Sequence, residues 1–246
     1  MLINSPLRPS ASKVIALSFL PHEFWQTVFP AGSFAHDSGE GFSDFYPAAL
    51  SDGRQIVLPI RQLPGSDTAA VASLIVNQAS FAVEDALVNA MAELAHPFAP
   101  DMVIGVPTLG LPLANGLARH LGHARMVALG TSRKFWYRAE LSEPMYSITS
   151  PDQTKTIFLD PRMLPLLEGR RVLLVDDVVS SGTSASAVLR LLAKAGIAPV
   201  AMVVAMLQGK RWQAPLATLA PELPVLGALA SPRLAKHADG RWRASQ

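Results

Sequence analysis

The sequence predicts an α/β domain, with a central, mainly parallel sheet and helices on both of its faces. Three observations carry that reading. Short runs such as Met102-Val103-Ile104-Gly105-Val106 and Val172-Leu173-Leu174-Val175 are apolar throughout, as strands buried on both sides must be. These runs alternate with segments of helical periodicity, the rhythm of a parallel sheet joined by crossover helices. Half of the 246 residues are hydrophobic and only 16% are charged, which suits one large core and excludes a disordered chain.

Each element has its own justification. The first forty residues read as irregular, punctuated by Pro6, Pro9, Pro21 and Pro30 and by a Gly/Ser-rich stretch from Gly32 to Gly41. From Phe42 to Leu63 the pattern is strand-like, with Asp52-Gly53 as a hairpin turn. Thr68 to Ala95 reads as helix, with Leu87, Ala90, Met91 and Leu94 on one face, until Pro97 and Pro100 stop it. A strand over Met102 to Val106, a helix over Leu113 to Leu121 closed by Gly122, and a strand over Arg125 to Leu129 follow. Asp160 caps a small helix that has Pro161 at its first position, and the strand Arg170 to Val175 comes next. After Ser184 a helix sets Val188, Leu191, Leu192 and Ala195 on one face and ends at Gly196, before a strand over Pro199 to Leu207. Residues 130–155 break the rhythm with a long polar connection, and a loop of that length inside a compact domain is usually functional, often a lid.

Composition excludes several classes of function. With no cysteine there is no disulfide, thiolate zinc site, iron–sulfur cluster or cysteine nucleophile, and a reducing cytoplasm is the simplest home. The formal net charge is +2 with no block of like charge, and residues 1–60 carry no helix-turn-helix pattern, so no nucleic-acid partner is expected. The apolar run Val14 to Leu20 ends in Pro21-His22-Glu23 without a cleavage site, and the longest uncharged stretches are too broken to span a membrane. His120 and His123 sit at a helix end, the other histidines are scattered, and no metal-ligand spacing appears.

The chemistry is concentrated in Val172-Leu173-Leu174-Val175-Asp176-Asp177-Val178-Val179-Ser180-Ser181-Gly182-Thr183-Ser184. A buried strand ends in two adjacent carboxylates, and a hydroxyl-rich turn leads straight into a helix. Ligands of open α/β sheets bind beyond the carboxyl ends of the strands. Backbone N–H groups, hydroxyls and the positive end of a helix dipole favour a phosphate there, and Gly182 lets the backbone approach it closely. Two carboxylates beside a phosphate cradle make sense if they accept hydrogen bonds from sugar hydroxyls, or meet a Mg²⁺ that the ligand brings. A sugar phosphate with vicinal hydroxyls satisfies each part.

This run resembles the phosphoribosyl-diphosphate (PRPP) signature of type I phosphoribosyltransferases, and the resemblance extends over about residues 100–208. It implies that Asp176 and Asp177 hold the ribose 2- and 3-hydroxyls and that Ser180, Ser181, Gly182, Thr183 and Ser184 hold the 5-phosphate. Val106-Pro107-Thr108-Leu109-Gly110 is similar to the family's pyrophosphate loop, with a cis peptide expected at Thr108-Leu109. Residues 130–155 resemble its catalytic lid, which makes Arg133 and Lys134 the catalytic candidates. Ser132-Arg133-Lys134 is similar to adenine-type enzymes, and Met145-Tyr146-Ser147-Ile148-Thr149 to xanthine-type ones.

Two departures bear on the base. Ser147 to Ser150 replace an acidic residue of adenine-type enzymes, and Ser180 replaces an aspartate of hypoxanthine–guanine enzymes. The Phe135-Trp136-Tyr137 cluster has two readings, packing at lid closure or stacking on a base. Trp212 and Trp242 are expected to help cover the core. The resemblance implies three regions: an N-terminal extension with hood strands over 1–65, a core over 66–208, and a C-terminal hood segment over 209–246. It further implies transfer of phosphoribosyl from PRPP to a nucleobase, a purine by preference, with Mg²⁺ as cofactor. A cytoplasmic homodimer without membrane or nucleic-acid partners is the expected setting. The rival is a PRPP-binding regulator on the same fold, without turnover.

Overall fold

The chain builds two five-stranded sheets and a separate hairpin in the computed structural model, which describes residues 18–35, 39–147 and 150–245. In chain order the strands are β1 (Phe45–Ala49), β2 (Gln55–Gln62), β3 (Ala69–Ala72), β4 (Met102–Gly105), β5 (Val127–Ala128), β6 (Ser142–Ser147), β7 (Ser150–Phe158), β8 (Val172–Val179), β9 (Ala201–Gln208), β10 (Val225–Ser231), β11 (Arg233–Lys236) and β12 (Trp242–Ala244). The α-helices are α1 (Phe81–Ala95), α2 (Gly110–His120), α3 (Thr183–Lys194) and α4 (Gln213–Leu219). Residues 1–17 of the expected N-terminal extension, and Ile148 and Thr149 of the lid stretch, lie outside the described residues.

One sheet runs β10-β9-β8-β4-β5 with every pairing parallel. Successive side chains of a strand point to opposite faces, so a strand buried on both faces must feed two cores. That is what β8 and β9 do. Leu173, Val175, Ala201 and Val203 pack in one core with Leu87 and Met91 of α1 and Leu113 and Leu117 of α2. Val172, Leu174, Met202 and Val204 pack in the other with Val188, Leu191 and Leu192 of α3. Each such fully buried side chain contributes about 1.5–3 kcal/mol of transfer free energy, enough to override local preferences. The expected α/β class, with a parallel sheet covered by helices on both faces, is therefore observed.

The second sheet is antiparallel, in the order β1-β2-β3-β11-β12, and joins the two ends of the described chain. The β1–β2 turn is the expected one, with Gly53 at φ +84°. Trp242 is buried there against Ala70 and Leu234. Gln208, at the end of β9, donates from Nε2 to the Ala72 carbonyl of β3 at 2.8 Å and so ties the two sheets together.

Several boundaries differ from the sequence reading. Thr68 to Ala95 is not one helix, because Ala69–Ala72 pairs antiparallel with β2 and β11. The helix begins only at Phe81, where the Ser80 hydroxyl accepts from the Val83 N–H at 3.3 Å. Tertiary pairing wins over the small-residue helical pattern there. The strand expected over Arg125 to Leu129 contracts to β5, with Leu129 held by the Gly105 carbonyl. The strand expected to end at Val175 runs on to Val179, paired with β9 through Val179↔Leu207. Residues 130–155 are not a plain loop, since most of their second half belongs to the β6–β7 hairpin. The small helix after Asp160 is a 3-10 helix, Pro161–Leu166, with Asp160 Oδ1 accepting from Arg162 N–H.

Candidate active site

Asp176 and Asp177 sit inside β8 rather than beyond it, and the alternation of the strand separates them. Asp176 is buried and its Oδ1 accepts from the Asp177 N–H at 2.8 Å. Asp177 is half-buried and faces a cavity of about 540 Å³. Burial pushes both carboxyls above the usual range, and the neighbouring charge of Asp177 pushes Asp176 further. Neither acid forms an ion pair among the described residues. The fold thus holds two uncompensated carboxylates side by side, an arrangement suited to hydroxyl donors or a divalent cation.

The turn that follows is shaped for an anion. Ser181 Oγ lies 3.0 Å from Thr183 Oγ1 and accepts from the Thr183 N–H at 3.3 Å. Gly182 adopts φ +82°, and a Cβ there would come within 3.2 Å of the Trp212 backbone, so both conformation and contact call for glycine. The α3 helix starts with no side-chain cap and no acidic residue in its first turn, which leaves its dipole end open to a negative group.

A second loop approaches from β4. The peptide Pro107-Thr108 is cis, one bond earlier than the sequence reading placed it. Gly110 follows at the start of α2, and a Cβ on it would lie 2.8 Å from Asp176 Cα and 2.9 Å from Asp176 Oδ1. The loop can therefore touch the acid pair only because residue 110 has no side chain.

The structure brings most of the candidate residues together. Leu109, Asp177, Ser180, Ser181, Gly182, Thr183 and Ser184 line the cavity, Asp176 and Gly110 are buried beside it, and Thr108 is exposed. Arg133 and Lys134 are not brought in; both are exposed and outside the lining. Their segment is instead held at its root. Trp136 Nε1 donates to Asp160 Oδ2 at 3.2 Å, and Arg162 lies over the Trp136 ring at 4.5 Å. Tyr137 packs on Phe158 with ring centroids 5.7 Å apart. Phe135 is 97% exposed. Glu143 anchors the hairpin to α3 through Arg190 and Lys194, each at 2.6 Å.

Sequence reasoning missed the cations of this cavity. Arg61, Arg211 and Arg233 line it, with Gln208 among them. None of the three belongs to a motif. Arg61 and Arg233 meet only because β2 and β11 both pair with β3, a register that no local pattern encodes.

Comparison with known proteins follows the same lines. Residues 75–220 match the family described as phosphoribosyl transferase domain. The chain is 26% identical over 196 residues to amidophosphoribosyltransferase 3, chloroplastic, of Arabidopsis thaliana, covering 80% of this chain and 35% of that protein. It is 36% identical over 105 residues to amidophosphoribosyltransferase 2, chloroplastic, of the same plant, covering 43% and 18% respectively. The chain thus spans well under half the length of both curated relatives. Among solved structures, the Giardia lamblia APRTase complexed with 9-deazaadenine superposes with a TM-score of 0.56 at 18% identity, covering 70% of this chain and 93% of that one. The adenine phosphoribosyltransferase of Rhodothermus marinus gives 0.54 at 22% identity, covering 70% and 93%. These structures share the fold, and the family match extends over more than half of the sequence. The chain belongs to the phosphoribosyl transferase domain family.

Proposed function

We propose that the protein transfers the 5-phosphoribosyl group of PRPP to a nucleobase, a purine by preference, and releases pyrophosphate. The observation that carries this reading is the uncompensated Asp176–Asp177 pair next to the uncapped α3 terminus in one cavity. A sugar that carries a phosphate at one end and two free hydroxyls matches that spacing of acceptors and donors. The purine preference draws on fold-level analogy, since solved neighbours include an enzyme of Trypanosoma brucei with AMP, pyrophosphate and ribose-5-phosphate.

In this reading a base nitrogen forms a bond to C1 of the ribose while the bond from C1 to the diphosphate oxygen breaks. The nitrogen's proton passes to solvent before the 130–155 segment closes, since Asp177, the carboxylate in the lining, is engaged by the ribose hydroxyls. Asp176 and Asp177 orient the ribose through its hydroxyls. The amides of the 180–184 turn and α3 hold the 5-phosphate, with Arg211 on the same side because Trp212 packs on Gly182. The Thr108–Gly110 amides face the leaving diphosphate. Closure of the 130–155 segment about its Trp136–Asp160 root brings Arg133 and Lys134 over that group and excludes water. The antiparallel sheet, with strands from both ends of the described chain, is the hood over the base.

The donor set fits Mg²⁺ carried by the substrate. Two carboxylates stand ready without a protein cation, and no cluster of three or more acidic or histidine ligands exists among the described residues. When bound, the ion would neutralise charge that develops on the leaving diphosphate. The resemblance adds a cytoplasmic homodimer as the expected setting, which sedimentation of the purified chain checks. No helix among the described residues is long and apolar enough to cross a membrane.

The test is pyrophosphate release from PRPP and Mg²⁺ with adenine, xanthine, guanine, hypoxanthine, orotate and uracil in turn. Release that depends on one base supports the enzyme. Tight PRPP binding with no release on any of them supports a PRPP-sensing regulator instead.

A further inference from the structure

The part of the cavity wall built by the antiparallel sheet is cationic in a specific way. In the antiparallel sheet Arg61 of β2 pairs with Val71 of β3, and Val71 pairs in turn with Arg233 of β11. Residues in register across adjacent strands project to the same face, and all three of these line the cavity. Two strand spacings put the arginine backbones about 10 Å apart, so their flexible side chains can reach opposite edges of one planar ring, with Val71 beneath it. Neither guanidinium forms a side-chain hydrogen bond or ion pair among the described residues. Among the described residues, Asp177 is the one carboxylate in the lining.

From this row we infer that the acceptor is a nucleobase presenting anionic oxygens, either an ionised oxopurine or a carboxylated pyrimidine, gripped between Arg61 and Arg233. The inference rests on the phosphoribosyl-transfer reading and narrows it. Guanidinium groups offer donors only, so they pair with the exocyclic oxygens and carboxylates of a base and not with an exocyclic amino group. Other polar side chains of the hood wall, Gln62 and Ser73, are neutral. A base such as adenine offers these cations only neutral ring nitrogens beside its amino group, whereas an anionic base offers charge-assisted acceptors to both. Arg211 precedes Trp212, which packs on Gly182 of the 180–184 turn, so its charge is assigned to the phosphate, while Arg233 lies beside Gly209 at the start of the same loop.

The experiment compares kcat/KM for pyrophosphate release with xanthine, orotate and adenine, in the unsubstituted protein and in Arg61→Met and Arg233→Met. We expect xanthine or orotate to exceed adenine, and the better of the two identifies which source of anionic oxygen the site takes. Each Met variant should raise the KM of that acceptor by about 10- to 100-fold, with the KM for PRPP changed less than about 2-fold. Arg61→Lys should recover part of the loss, and thermal unfolding confirms that each variant is folded. Preference for adenine, or variants that raise the KM for PRPP and leave the acceptor's unchanged, overturns the inference while phosphoribosyl transfer stands. No release with any base overturns both, and PRPP binding measured by calorimetry then tells a regulator from a failed motif.

Discussion

Gly110 and Asp176 approach so closely that a Cβ on the glycine would sit 2.8 Å from the aspartate's Cα, well inside van der Waals contact. The loop at Gly110 and strand β8 are thereby locked at a fixed separation. The neighbouring atom is backbone in the middle of a parallel sheet, so it cannot swing aside. Gly110→Ala should cost about 1–3 kcal/mol of stability through overpacking and weaken PRPP binding at least tenfold. Urea unfolding and calorimetric titration read the two effects separately.

The acid pair predicts an opposed effect on stability and binding. Burial raises both carboxyl pKa values, so the folded state favours the protonated form. The contribution of these groups is fully favourable below the unfolded value near 3.8 and is lost as pH rises through the folded values. The double variant Asp176→Asn, Asp177→Asn should therefore gain stability relative to the parent as pH is raised from 4 to 8, while losing PRPP binding. Urea midpoints across that range check the sign, and an unchanged PRPP affinity would sink the site.

The same pair predicts proton release. Hydroxyl donors or a cation favour the ionised carboxylates, so PRPP–Mg²⁺ binding should expel protons in the acid part of the range. Calorimetry in two buffers of different ionisation enthalpy measures the number released, and zero release at pH 5 contradicts the assignment.

Glu143 holds the β6–β7 hairpin on α3, and hydrogen bonds from Lys194 and Arg190 lower its carboxyl pKa. That stability is present above the unfolded value of 4.5 and is lost as pH falls through the folded one. The two cations are 47% and 44% exposed, so solvent screening limits Glu143→Gln to about 1 kcal/mol. Hydrogen exchange should rise at residues 142–145 and 155–158 and stay unchanged in β8.

At the lid root the Arg162 side chain, aided by Trp136, holds the Asp160 carboxyl at about 2. Arg162→Ala should free Trp136 to solvent, shift its fluorescence to the red, and lower kcat more than it raises the KM for PRPP. A fall in PRPP affinity alone would instead place this root among the binding residues.

The parts legible in the sequence are those set by local chemistry. The apolar strands, the hairpin at Asp52-Gly53, the Asp160 cap and the Asp-Asp-to-Gly182 run all depend on neighbours within a few residues, and all appear in the structure. Thr68 to Ser80 misled because alanine and serine suit a helix, while pairing with two strands distant in sequence decided otherwise. Arg61 and Arg233 were invisible for a related reason: 172 positions separate them, and only the register around Val71 brings them together. Arg133 and Lys134 were named from resemblance, and the structure leaves them on the surface.

The interleaving of β3 between β2 and β11 also has a consequence for biosynthesis. The 180–184 turn, the acid pair and the loop at Gly110 all lie before residue 209, but the wall that contains Arg233 lies in a segment made later. A nascent chain can thus assemble the acid pair and its turn before that wall exists. On the proposed reading, a grip on the sugar phosphate precedes selectivity for the acceptor as the chain is made.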